Sequence, residues 1–252
     1  MQALLQIIEN YCLMLHSKEW VANHDGNISL RMEDGNFLAV ASGISKRLVS
    51  AHDSKTWVII DKDGKRVAGD GKPFSEFALH LAAYKARSEI FCVIHAHPPI
   101  ASSFSLARIE PYPIAMPEVV VSLGSRIPLT NFAMPKTRES EEEIFRLSSE
   151  YDSMLIAANG VLTVGVNAEQ AFLRMELVEH YCKIFLEARK LGGVIPLSSE
   201  LMQTLLEERK KAGLRVKETV KETKFIESNS NSFSKETIKE IIKDELLKTL
   251  RK

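Results

Sequence analysis

The sequence predicts one α/β domain in which helices cover a mostly antiparallel sheet. Three observations lead there. Short apolar runs near the N-terminus are joined by Asp-Gly turns, and after residue 75 helix-period runs alternate with brief strands. Composition is the third: 252 residues, 45% hydrophobic and 26% charged, suffice for one sizeable core, with 12 glycines and 9 prolines leaving no low-complexity body.

The elements follow in order. Leu4, Ile8, Tyr11 and Leu15 recur at helical spacing and predict an amphipathic first helix. Asn27–Met32 and Phe37–Val40 flank Asp34-Gly35, and Thr56–Ile60 precedes Asp63-Gly64, so both segments read as antiparallel hairpins. Helices are expected at 75–87, 137–150, 168–191 and 198–212, with strands at 90–95, 153–157 and 161–164. The domain is expected to end at residue 217. Residues 218–233 are polar, with Ser-Asn-Ser-Asn-Ser at 228–232, and read as a flexible linker. Over 234–252, Ser234 can cap a helix whose stripe is Ile238, Ile241, Ile242, Leu246 and Leu250.

Charge narrows the function classes. Lys plus Arg and Asp plus Glu number 33 each, so no net basic field points to nucleic acid or to a membrane surface. Cys12, Cys92 and Cys182 lie in apolar contexts without CxxC spacing and read as reduced, buried thiols. The first helix carries Glu9 and lacks a basic flank, which argues against a signal peptide and for a cytoplasmic protein.

One segment carries chemistry. Residues 91–99 read Phe-Cys-Val-Ile-His-Ala-His-Pro-Pro, and the period of a strand puts His95 and His97 on the same face. Pro98 and Pro99 stop the strand, which places the pair at an edge open to a ligand. Two readings stand: a metal-binding pair, or two unrelated packed imidazoles. The preceding segment favours the metal. Ser75 reads as a helix cap, Glu76 as a first-turn carboxylate able to reach that metal, and Phe77, Leu81 and Tyr84 as the buried side. Gly26-Asn27 and Ser42-Gly43 read as turns or as phosphate loops.

Taken together, Gly26-Asn27-Ile28-Ser29, Ala41-Ser42-Gly43, Ser75-Glu76 with His80 and Tyr84, Val93-Ile94-His95-Ala96-His97-Pro98 and Ala158-Asn159-Gly160 resemble the class II aldolase/adducin-head family. The layout over about residues 1–215 is most similar to its L-fuculose-phosphate aldolases. The resemblance implies a three-layer fold, a homotetramer, Zn2+ or another divalent metal, and a phosphorylated sugar substrate. It implies His95 and His97 as metal ligands, Glu76 as acid/base that also touches the metal, and Asn27, Ser42, Gly43 and Ser75 around the phosphate. The implied reaction is cleavage of a ketose phosphate to dihydroxyacetone phosphate and a small aldehyde. Alternatives on the same scaffold are an epimerase, dehydratase or decarboxylase, or an adducin-like assembly module with an impaired metal site. Glu76, where the epimerases carry Asp, favours the aldolase.

Departures from the family pattern concern ligand and substrate. Asn159 stands where the family has its third metal-binding histidine, so either Asn159 coordinates weakly, another histidine substitutes, or the metal is lost. His80 is the nearest substitute and reads more readily as a packing residue; His24 and His180 are weaker, and His16 and His52 read as surface. Phe74, Pro117 and Ala212 replace a serine and two tyrosines of the fuculose-phosphate enzymes. The helix at 234–252 resembles peptides that tether enzymes to bacterial microcompartment shells, which implies a shell-protein partner; docking on its own oligomer is the alternative.

Overall fold

The computed structural model describes residues 1–134 and 137–215. The expected linker and C-terminal helix lie outside the described residues, and the first compact unit is Met1–Val216. In the first unit the chain runs α1 (Gln2–Ser17), β1 (Asn27–Arg31), β2 (Phe37–Val40), a 3-10 turn (Lys46–Leu48), β3 (Trp57–Ile60), β4 (Arg66–Ala68), α2 (Phe77–Ala86) and β5 (Cys92–Ala96). It continues through α3 (Pro99–Ala107), α4 (Pro117–Leu123), α5 (Arg138–Ser148), β6 (Ser153–Leu155), β7 (Val161–Gly165), α6 (Ala168–Lys190) and α7 (Ser199–Lys211).

The seven strands form one sheet of order β4-β3-β2-β1-β5-β7-β6, antiparallel at every pairing. Alternation along the strands sends residues to opposite faces, and each face meets its own helices. Ile28, Leu30, Cys92 and Ile94 pack on one side with α1, α3 and α6, around Ile8, Phe104 and Met175. Phe37, Val58, Val93 and Leu162 pack on the other with α2 and α5, around Phe77, Tyr84 and Ile144. The result is the expected α/β architecture in three layers.

Three local expectations are corrected. Ser75 makes no cap hydrogen bond, and Glu76, expected in the first turn, is itself the N-cap at φ −97°, ψ 10°, just before the first helical residue Phe77. The turn closes on backbone instead, with the Phe77 amide donating to the Phe74 carbonyl at 3.2 Å. The histidine pair is not at a sheet edge either: β5 lies between β1 and β7, and His95 is 1% exposed. Finally, α3 and α4 went unpredicted, α3 because Pro98 and Pro99 read as a stop. Here each proline opens its helix, a position where a missing N–H costs nothing.

One buried ion cluster ties the late helices to the sheet. Asp152 meets Arg87 at 2.8 Å, Arg174 at 2.7 Å and Arg209 at 2.5 Å, with all four side chains buried. Burial works to raise the Asp152 pKa, but the three guanidinium groups outweigh it and hold the carboxyl below its ordinary range. Arg209 also donates to the carbonyls of Val121 and Ser122, which docks α7 on α4. The three cysteines are buried and free, as expected, and burial pushes their thiols up, away from nucleophilic use. Among the described residues no helix is long and apolar enough to cross a membrane.

Candidate active site

The sheet register builds the site. His95 on β5 pairs across to Asn27 on β1 and to Leu162 on β7, so its ring projects to the α2 side beside Asn27. Its Nδ1 lies 3.0 Å from the Val161 carbonyl oxygen. His97 follows immediately after β5, with its amide donating to the Trp20 carbonyl, and its Nδ1 lies 3.0 Å from Asp25 Oδ2. A carbonyl and a carboxylate can only accept, so each Nδ1 carries a proton, and a neutral ring then presents its Nε2 as a lone pair. The two Nε2 atoms face one another at 3.3 Å.

Two bare imidazole nitrogens held that close repel unless something positive lies between them. Two nitrogens on one tetrahedral zinc stand about 3.3 Å apart, given Zn–N bonds near 2.05 Å. Ring nitrogens tied to a carboxylate and a carbonyl on their far sides are also the usual support of metal-binding histidines. Burial, the largest influence on His95, holds its pKa below the ordinary value and keeps the ring neutral, as a ligand must be.

Glu76 completes the cluster. Its Oε2 is 3.8 Å from His95 Nε2, and its Oε1 accepts from Asn159 Nδ2 at 2.6 Å. Asn27 Nδ2 reaches Oε2 only at 3.5 Å, and Asn27 Oδ1 is buried without a partner. Burial acts to raise the Glu76 pKa, but His95, the Asn159 and Asn27 amides and His97 outweigh it, so the carboxyl stays below its usual range. Asn159 is carried by a tight turn in which Gly160 cannot be replaced: an added Cβ would stand 2.4 Å from the Ala96 carbonyl and 2.5 Å from His97 Cδ2, at φ +73°. Gly26 is fixed likewise, by Val21 at 2.6 Å and the His95 carbonyl at 3.1 Å.

The structure thus brings together His95, His97, Glu76, Asn27 and Asn159. Ser42, Gly43 and Ser75 are exposed loop residues, and the Ser42 amide donates to the Lys72 carbonyl at 2.8 Å. His80 is fully buried, its Nδ1 2.7 Å from Ser29 Oγ, with Tyr84 2.9 Å from the same hydroxyl. Burial, then the field of His95, hold its pKa well below the ordinary value. Phe74 packs edge-on against His80 and Phe77 and is a core residue. His16, His24, His52 and His180 are exposed. Asp25 escaped sequence reasoning. The sole signal, its place two residues before the partner of His95, becomes legible only once the β1–β5 register is known.

Among the described residues no three His, Cys, Asp or Glu side chains are gathered at metal-ligand spacing. The donor chemistry nonetheless fits a divalent cation, because the two Nε2 atoms face one point beside the Glu76 carboxylate.

The fold defines a class, an antiparallel sheet covered by helices on both faces with His95, His97, Glu76, Asn27 and Asn159 gathered on one side of it. The chain belongs to the class II aldolase and adducin N-terminal domain family, whose pattern matches residues 6–186. It is 29% identical over 194 residues to an L-fuculose phosphate aldolase of Escherichia coli O157:H7, covering 77% of this chain and 87% of that protein. It is 27% identical over 166 residues to a 3-oxo-tetronate 4-phosphate decarboxylase of Pectobacterium atrosepticum, covering 63% and 72%. A solved L-fuculose 1-phosphate aldolase superposes with TM-score 0.75 at 25% identity, over 82% of this chain and 95% of that one. Both named activities break a carbon–carbon bond, and this chain is a lyase of the class II aldolase superfamily.

Proposed function

We propose that the protein is a divalent-metal-dependent aldolase, with zinc the preferred ion, which cleaves a ketose phosphate to dihydroxyacetone phosphate and a small aldehyde. The observation that carries this reading is the facing pair of Nε2 atoms of His95 and His97, 3.3 Å apart, with the Glu76 carboxylate beside them. His95, His97 and Glu76 would hold the ion, with Asn159 alongside. When bound, it supplies positive charge opposite the substrate oxygen on which negative charge builds as the carbon–carbon bond breaks.

The chain's own groups do the rest. Val161 and Asp25 orient the two rings. Glu76, ionised at neutral pH and steadied by Asn159, takes a proton from the substrate and returns it to carbon. Asn27, Ser42, Gly43 and Ser75 are assigned to the phosphate, through backbone and small side-chain donors that permit close approach. We assign the enzyme to the cytoplasm as a homotetramer, with residues 234–252 recruiting it to a microcompartment shell protein.

The decarboxylase relative favours a second reading, since loss of CO2 from a 3-oxo acid leaves the same kind of charge beside a carbonyl. The test has two parts. Wild type should take up about one zinc per chain and the His95→Ala/His97→Ala variant far less; equal, negligible uptake overturns the metal reading. A coupled dihydroxyacetone-phosphate assay across ketose phosphates should then find a substrate. Release of CO2 from a 3-oxo acid phosphate, with no ketose phosphate cleaved, moves the assignment to the decarboxylase.

A further inference from the structure

The open end of the β1–β2 hairpin carries parts of both halves of the site. In this antiparallel pair Ser29 faces Ala39 and Arg31 faces Phe37, so the start of β1 and the end of β2 lie together at the end away from the turn. The loop that enters β1 holds His24 and Asp25, and the loop that leaves β2 holds Ser42 and Gly43. One side chain spans the two loops. Lys46 Nζ donates to the His24 carbonyl at 3.2 Å and to the Ile44 carbonyl at 3.0 Å. Lysine is rarely buried unless paired, yet Lys46 is 2% exposed. Burial, the largest influence on it, lowers its pKa, while the fields of Cys12 and Asp25 work to raise it. An apolar side chain would fill the same space without taking a charge out of water. What the ammonium adds is two charge-assisted hydrogen bonds, each to a peptide beside a functional group. The His24 carbonyl belongs to the peptide that leads into Asp25, whose Oδ2 lies 3.0 Å from His97 Nδ1, and Ile44 follows Gly43 directly.

We propose that Lys46 is a positioning residue for both halves at once, its ammonium fixing the Asp25 loop that orients His97 and the Ser42-Gly43 loop assigned to the phosphate. The inference rests on the metal and phosphate assignments above and deepens them. Without the ammonium each loop keeps a backbone bond of its own, from the Asp25 amide to the Ala22 carbonyl at 3.0 Å and from the Ser42 amide to the Lys72 carbonyl at 2.8 Å. The link between the loops is what goes. Loss of Lys46 should therefore reach zinc through His97 and reach phosphate by a separate route through Gly43.

Two constants measured on metal-free, full-length protein test this: zinc by competition with a chromophoric chelator, and inorganic phosphate by phosphorus NMR titration. Lys46→Met, close to lysine in volume, should weaken zinc about tenfold, as for a partner that orients a metal-binding histidine, and phosphate about fivefold, as for one lost hydrogen bond. Asp25→Asn should weaken zinc alone. In the double variant the zinc loss should stay within about twofold of the larger single loss, since both changes act through His97, while the phosphate loss should equal that of Lys46→Met. A lysine that only filled the core would give zinc losses that multiply, or none. Lys46→Gln, which keeps a donor, serves if Lys46→Met does not fold and should lose about threefold in both constants. Either constant within about twofold of wild type in the folded variant, or zinc losses that multiply, overturns the proposal. Ser42→Ala separates it from the phosphate assignment: phosphate binding weakened by Lys46→Met but not by Ser42→Ala faults the role given to Ser42 and leaves the positioning role standing.

Discussion

Asp25→Asn should weaken zinc binding about tenfold, and Asp25→Ala should approach a hundredfold, the span expected for partners that orient a metal-binding histidine. The difference comes from what each variant keeps. Asp25 Oδ2 lies 3.0 Å from His97 Nδ1, and Oδ1 accepts from the Ala22 amide at 2.5 Å, so the carboxylate fixes both the ring and its own loop. Asparagine can still offer one oxygen to the ring, but it loses the negative charge that makes His97 a better donor to a cation, and its Nδ2 cannot accept from the Ala22 amide. Both side chains are 31% exposed, so solvent screens part of that charge and places the cost near 1.4 kcal/mol. Alanine removes ring acceptor and loop acceptor together. Competition against a chromophoric chelator measures the constants. An Asp25→Asn protein that binds zinc within twofold of wild type would refute the argument that this carboxylate supports a ligand.

Two further outcomes are expected. Because the Asp152 carboxyl is held below its ordinary pKa in the fold, its stabilising contribution is complete above about pH 4 and drains away as pH falls through the folded value. Urea midpoints between pH 2 and 6 should therefore slope more steeply in wild type than in Asp152→Asn, which should itself lose about 3–5 kcal/mol by leaving three buried guanidinium groups uncompensated; parallel slopes would refute this. Truncation before Glu218 should leave turnover intact, while a fluorescent carrier fused to residues 218–252 should co-assemble with shell protein and Ile242→Asp should not; loss of activity on truncation would make the tail part of the enzyme instead.

Much of the fold was legible because its signals are local. The Asp-Gly hairpins, the period-two run ending at His95 and the long amphipathic helix from Ala168 need only neighbours in sequence. Pro98 and Pro99 misled because a proline that ends one element can begin the next, and the choice depends on what the new helix packs against. Ser75 misled similarly: a good capping residue yielded to Glu76, which the His95 register and the Asn159 turn hold at that position. Strand position was illegible too, since apolar residues on both sides of β5 fit an interior strand as well as an edge. Asp25 and His97 are 72 residues apart, and only pairing across the sheet joins them.

That pairing has a thermodynamic consequence. The rings of His95 and His97 are set by acceptors 66 and 72 residues away, and a one-residue slip of β5 against β1 or β7 would turn His95 to the opposite face. The denatured chain therefore offers an ion two adjacent imidazoles without their acceptors and without Glu76. An ion that prefers the assembled arrangement adds its binding free energy to the closing of the sheet, growing as the logarithm of its concentration once above Kd. A metal held there would be a reagent for the chemistry and also a clasp on strands β1, β5 and β7.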